Sequence, residues 1–373
     1  MATRKKPTKK AVRSRRSRSS GVRAGHMQAA VLAELRKVEL IEMPTPKPGR
    51  GEVLLEVEAV GICGSDLHYW RHGRIADQVV TFPMRLGHEP AGRVAGLGPG
   101  VKELKEGQRV AVEPGVHCGT CRECQMGRVN LCPNVIFLGT PPVDGAFQRY
   151  LRMPASALVP LPSKVDAALG ATAEPLGVAL HSFDLVNLRA GECVAVIGAG
   201  SVGLCVVALA QQLGARVVVV SEPRPFRRKV AKRLGAEKTV SANPDAFVEA
   251  AHAATEGHGV DVVFECSGAP EALNTALVTG ARGGRVAMIG IPEVDTLTID
   301  PHKWRKRELA VVNVRRSNRT LERCLRILER TDLGLKKSGF LSKPVGLQGV
   351  QDAMVDLDNE RSELVKVMVD PRL

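Results

Sequence analysis

A short apolar run, Val194–Val196, leads into Gly198-Ala199-Gly200-Ser201-Val202-Gly203 and then into the helical stretch LCVVALAQQLGA. Strand, glycine turn and helix in that order open a parallel βαβ unit. The surrounding text repeats the pattern, with GECVAVIG, ARVVVVSE, VDVVFECSG and GGRVAMIG reading as apolar strands separated by helix-length segments. This alternation predicts a parallel sheet with crossover helices.

Upstream the texture differs. AAVLAE, EVLLEVEAVGI, AGRVAGLG and QRVAVEPG are short strands between turn signals such as PKPGRGE and GPG. After about residue 315 a helix over Leu321–Glu329 and a final strand, LVKVMVD, return to that first texture. A chain of 373 residues is long enough for two cores. The expected fold is therefore α/β. A β-rich domain (residues 27–172 and 315–373) is interrupted by a doubly wound parallel-sheet domain (residues 173–314).

The glycines have separate tasks. Gly198 permits the tight turn, Gly200 lets a pyrophosphate approach the backbone, and Gly203 lets helix and strand pack closely, with Ser201 and Val202 between them at the helix start. Free N–H groups at the helix N-terminus then favour an anion. The next strand ends at Glu222, 19 residues past Gly203. A carboxylate there accepts from ribose hydroxyls and repels a 2′-phosphate, which favours NAD over NADP. Against this stand Arg224, Arg227 and Arg228, which read either as a solvated helix face or as contacts to that phosphate, Arg227 being the cofactor candidate among them.

Two clusters suit metal. Cys118, Cys121, Cys124 and Cys132 have C-x2-C-x2-C-x7-C spacing. Four thiolates this close can surround one zinc and leave no position for substrate, as a structural site requires. Unpaired loop thiols or an iron–sulfur cluster are the alternatives, and His117 reads as loop. The second set is dispersed: Cys63, Ser65, Asp66, His68 and Tyr69 in GICGSDLHYW, His88 and Glu89 in RLGHEPAGRV, and Glu174 in ATAEPLGV. A mixed sulfur, nitrogen and oxygen set suits zinc with an open position. Spacing alone does not join Cys63 to His88, which read equally as a buried small residue and a turn histidine.

The net charge of +14 resembles a nucleic-acid signal until it is located. Residues 1–26 hold ten Lys or Arg and no acid, leaving +4 for the rest. This segment is expected to be a disordered extension, with an organelle transit peptide or a polyanion-binding arm as alternatives. No apolar run reaches membrane-spanning length, and nine cysteines without a secretory signal point to a reducing compartment, hence a cytoplasmic protein.

VEAVGICGSDLHYW, LGHEPAGRV, the four-cysteine loop, EPLGVALH, VIGAGSVG and ECSG, in that order, resemble the zinc-containing medium-chain dehydrogenase/reductase superfamily over residues 27–373. GICGSDLHYWRHGRI and IFLGTPPVDGAF are similar to its sorbitol and xylitol dehydrogenase branch. The resemblance implies a GroES-like catalytic domain, a Rossmann domain and an active site between them. It implies that Cys63, His88 and Glu89 hold a catalytic zinc, with Glu174 a further ligand or linked through bound water. It also implies that Ser65 and His68 relay a proton, and that Tyr69, Phe137 and Arg316 contact substrate. Two zinc ions per subunit, NAD, an alcohol or polyol substrate and a homo-dimer or homo-tetramer follow from it. The chain departs from the pattern at NVRRSNR, where Arg315 adds a charge and Ser317 stands in place of a tyrosine, which makes an acidic or phosphorylated substrate conceivable. The competing readings are L-threonine 3-dehydrogenase or another sugar dehydrogenase, a nucleic-acid-associated protein using its basic tail, and a non-catalytic NAD sensor.

Overall fold

A computed structural model describes residues 25–359 and 361–373. Most of the basic extension, residues 1–24, lies outside that range. His26 is the first residue of the strand His26–Glu34, where it pairs with Pro44.

The predicted parallel sheet is present. Six strands lie in the order Lys238–Val240, Arg216–Ser221, Cys193–Ile197, Val260–Glu265, Gly280–Met288, Ala310–Asn313, and every neighbouring pair is parallel. Numbered by sequence this is 3-2-1-4-5-6, the doubly wound order. The strand directions of winding diverge between Cys193–Ile197 and Val260–Glu265, so the crevice beyond their carboxyl ends is where such sheets bind ligands. Side chains alternate between two buried faces. Val194 and Val196 enter one core, packed with the helix Ser201–Gln212, whereas Ala195 and Ile197 enter the other. Full burial of one such valine contributes about 1.5–3 kcal/mol, which is why these strands read as unbroken apolar runs.

The second sheet is antiparallel, in the order Tyr150–Pro154, Glu52–Gly61, Glu89–Leu97, Arg109–Val112, Leu158–Pro160. Met368–Val369 returns from the far end of the chain to pair with Gly61 and Val60. This β-rich domain is thus discontinuous in sequence. The expected border at residue 172 falls inside a continuous helix, Ala167–Val186, which packs on both sheets. No helix of the described residues is long and apolar enough to cross a membrane.

Candidate active site

One stretch of antiparallel register assembles the dispersed set. Gly61 pairs with Glu89 on one side and with Met368 on the other. Cys63, two residues beyond Gly61, and His88, one before Glu89, therefore emerge at the same end of the sheet. Cys63 is also the N-cap of the helix Gly64–His72. Ligand atoms of Cys63, His88 and Glu89 all lie within 4.8 Å of one another. That spacing accommodates one cation at zinc bond lengths of about 2.0–2.3 Å.

The supporting contacts fit the same use. Asp66, fully buried, accepts from the Cys63 N–H at 2.9 Å and the Gly87 N–H at 3.0 Å, and its carboxylate lies 3.7 Å from His88 Nδ1. A carboxylate behind a metal-binding imidazole fixes its tautomer and raises its basicity. Lys366 is buried as completely as Glu89 and donates to both its oxygens, at 2.8 and 2.7 Å, and to the Ile62 carbonyl at 3.0 Å. Burial opposes the Lys366 charge, but Glu89 and Cys63 outweigh it and hold the ammonium above its ordinary range. A carboxylate has about four lone-pair sites, so Glu89 can serve the lysine and a cation together. Lys366 did not stand out as functional in the sequence, whereas Asp66 belongs to the dispersed set.

Glu174, on the Ala167–Val186 helix, is buried but lies outside the 4.8 Å set. Burial pushes its carboxyl up to about 7, with His88, Lys366 and Arg316 opposing the rise. Ser65 and His68 share one face of the Gly64–His72 helix, three residues apart. No hydrogen bond joins them among the described residues. His68 Nδ1 instead lies 3.8 Å from Glu293, a half-exposed carboxylate of the parallel-sheet domain. Tyr69 is buried, with its hydroxyl donating to Gln78 Oε1 at 3.3 Å. The Phe137 ring packs 5.8 Å from the His88 ring, and the Arg316 guanidinium lies over Phe137 at 3.8 Å. A cavity of about 450 Å³ opens on the Phe137 and Arg316 side of this group.

The four cysteines of the loop also converge, with all four sulfurs within 4.8 Å of one another. Cys132 Sγ lies 3.6 Å from Cys118 Sγ and 3.8 Å from Cys121 Sγ. A tetrahedron with zinc–sulfur bonds of about 2.3 Å has edges of about 3.8 Å. The sulfurs already stand at the spacing that ion requires.

At the crevice of the parallel sheet, a Cβ on Gly203 would stand 2.0 Å from the Gly198 carbonyl oxygen, so that position is closed to any side chain. A Cβ on Gly200 would meet nothing within 4 Å, and Gly200 has φ −71°, which any residue can adopt. The open space above Gly200 allows the close backbone approach that a pyrophosphate needs. Glu222 is buried and accepts from the Ala199 N–H at 2.9 Å and the Arg224 N–H at 3.0 Å, so it also fixes the glycine turn. The three arginines do not form a solvated face. Arg224 donates to the Leu357 carbonyl, Arg227 to that of Leu364, and Arg228 to those of Glu222 and Pro223. Burial lowers Arg227 to about 10, and its contact ties the parallel-sheet domain to the C-terminal segment. Beyond Gly198, Glu265 is fully buried, and its Oε2 has no hydrogen-bond partner.

Family comparison agrees with this geometry. Residues 49–163 match the alcohol dehydrogenase GroES-like domain and residues 201–330 match the zinc-binding dehydrogenase domain. The chain belongs to the zinc-containing alcohol dehydrogenases. It is 38% identical over 346 residues to sorbitol dehydrogenase of Bacillus subtilis (strain 168), covering 93% of this chain and 98% of that one. It is 39% identical over 253 residues to L-threonine 3-dehydrogenase of Pyrococcus horikoshii, covering 68% and 72%. Among solved structures, a zinc-binding dehydrogenase of Sinorhizobium meliloti 1021 bound to NADP superposes with TM-score 0.83 at 33% identity, over 93% of this chain and 99% of that one. The fold is accordingly a discontinuous GroES-like domain with a Rossmann domain, and the protein is an NAD(P)-dependent dehydrogenase of alcohols.

The second and third glycines of the turn make a contrasting prediction for this zinc-dependent family member. Gly200→Val should leave the melting temperature unchanged yet weaken NAD binding at least about tenfold, equivalent to about 1.4 kcal/mol. Gly203→Val should damage folding itself. Titration of NADH fluorescence beside thermal unfolding checks both, and full affinity in Gly200→Val would place the pyrophosphate elsewhere.

Proposed function

We propose that this protein oxidises a secondary alcohol of a polyol, such as sorbitol or xylitol, to a ketone with NAD as acceptor. Convergence of Cys63, His88 and Glu89 within 4.8 Å carries the reading. These three residues would hold one zinc and the four cysteines a second, with Glu174 acting on the first through water because it lies outside the ligand spacing. Zinc in an open site would supply Lewis acidity toward the hydroxyl, and NAD the acceptor for hydride. Glu222 supports NAD over NADP, because its buried carboxylate would repel a 2′-phosphate and Arg227, turned to the Leu364 carbonyl, does not face one.

The protein's own groups handle binding and the proton. Tyr69 and Phe137 form the wall against which the carbon chain lies. Ser65 accepts the hydroxyl proton and passes it to His68, with solvent or a side-chain movement closing the gap between them. His68 then discharges it at the half-exposed cleft edge near Glu293. Burial lowers the His68 pKa below 6.5, with Arg71 and His72 adding to the shift and Glu293 opposing it. A neutral imidazole is the receiving form. The acid limb of kcat/KM for alcohol oxidation should therefore fall below pH 6.5, and His68→Ala should remove it. A limb unchanged in that variant would take His68 out of the relay.

A cytoplasmic homo-dimer or homo-tetramer fits this reading, and the domain border falls within the helix Ala167–Val186, which runs unbroken through residue 172. The second reading is L-threonine 3-dehydrogenase, favoured by the Pyrococcus horikoshii relative. NAD reduction with sorbitol, xylitol, galactitol, L-threonine and glucose separates the two. Activity on the amino acid alone would overturn the polyol assignment.

A further inference from the structure

The guanidinium of Arg316 lacks a partner that its surroundings demand. Its Nη1 is buried without any hydrogen bond, and no carboxylate of the described residues closes to the 4.0 Å of an ion pair with it. The guanidinium lies over the Phe137 face at 3.8 Å, and Phe137 packs on His88. A buried charge left unpaired is costly, and a cation over a ring offsets only part of that cost. Burial lowers Arg316 to about 10, so it remains charged at neutral pH. The nearby acids are poor counterions. Glu113 is pushed up to about 7 by burial, and Glu322 is engaged by Arg326 at 2.8 Å. Arg316 also holds φ +56°, as Arg319 holds +54°, a left-handed conformation that side-chain-bearing residues seldom adopt. Strain of this kind concentrates where function fixes a side chain. Both arginines line the cavity of about 450 Å³, together with His117, Asn130 and Ser317.

We propose that Arg316 is an anion-reading subsite, and that the alcohol this enzyme prefers carries a carboxylate or phosphate which pairs with the free guanidinium edge. The inference rests on the dehydrogenase reading of the pocket and narrows it from neutral polyols to polyhydroxy acids or polyol phosphates. A planar guanidinium offers paired donors that match either oxyanion. The reacting hydroxyl then sits by His88 and the charged end beyond Phe137, on the cavity side. Arg315 takes no part, being exposed with its carbonyl accepting from Asn130.

Calorimetric titration of the zinc-loaded protein–NADH complex with sorbitol, gluconate and sorbitol 6-phosphate tests this, with NAD reduction measured on the same three. At least one anion should bind about tenfold or more tightly than sorbitol. Arg316→Gln should erase that preference and Arg316→Lys should keep part of it, which separates lost charge from lost packing. Which anion gains identifies carboxylate or phosphate. Equal binding of all three ligands, or a preference that survives in Arg316→Gln, overturns the subsite. Oxidation of all three with equal kcat/KM would do the same while leaving the dehydrogenase reading intact. Arginine-dependent anion binding without NAD reduction by any of them would instead sustain the subsite and remove the polyol reading.

Discussion

Cys63→Ser should lower kcat for alcohol oxidation by more than about 1,000-fold and leave NADH binding within about twofold of the parent. Metal charge stabilisation is worth several kcal/mol, and about 1.36 kcal/mol is a factor of ten in rate. The sulfur caps a helix in the β-rich domain, whereas the glycine turn and Glu222 belong to the parallel sheet, so the cofactor site should not register the change. Zinc content should fall from two ions per chain to one, because the four-cysteine loop keeps its own. Stopped-flow turnover, NADH fluorescence and metal analysis of one sample check the three parts. A variant that kept both its zinc and its activity would remove Cys63 from the site.

Lys366→Met should destabilise the protein by about 3–5 kcal/mol, the usual result of removing one partner of a buried ion pair. For a chain this long, each kcal/mol moves the melting temperature by roughly 2–4 °C, so a fall of about 10 °C is expected. Lys366 and Glu89 are both completely buried, with two donor contacts of 2.7 and 2.8 Å between them. The double variant Glu89→Leu with Lys366→Met should regain most of that stability, because no uncompensated charge is left inside. It should not regain activity, since one of the three proposed zinc ligands has gone with Glu89. Thermal unfolding of the single and double variants forms the test. Equal instability in both would mean that packing, not charge, sets the value of Lys366.

These two residues mark where sequence is informative and where it is not. The four cysteines span fifteen positions, so their chemistry is local and legible, and the glycine turn is legible because strand, turn and helix are contiguous. Cys63 and His88 are joined only by register, through Gly61 opposite Glu89, and no spacing rule carries that information. Family resemblance supplied it. Lys366 is less visible still. LVKVMVD reads only as a strand, yet its Lys366 is buried against a residue 277 positions away. Asp66 reads only as one member of the dispersed set, and its place behind His88 depends on the same long-range register. The arginines after Glu222 failed as a solvated face for a related reason. The carbonyl partners of Arg224 and Arg227, at Leu357 and Leu364, come from the returning C-terminal segment, which the local sequence does not announce. Arg228 folds back on Glu222 and Pro223. Glu265, buried with an unpaired oxygen at the cofactor crevice, gave no signal beyond its place in ECSG.

Everything catalytic in this account depends on a cation between Cys63, His88 and Glu89. Anomalous diffraction at the zinc edge from crystals of the protein tests it directly. Two peaks per chain are predicted, one among Cys118, Cys121, Cys124 and Cys132, the other bounded by the Cys63 sulfur, the His88 ring and the Glu89 carboxylate. A single peak at the four cysteines, with Glu89 held by Lys366 alone and no density beside His88, would contradict it.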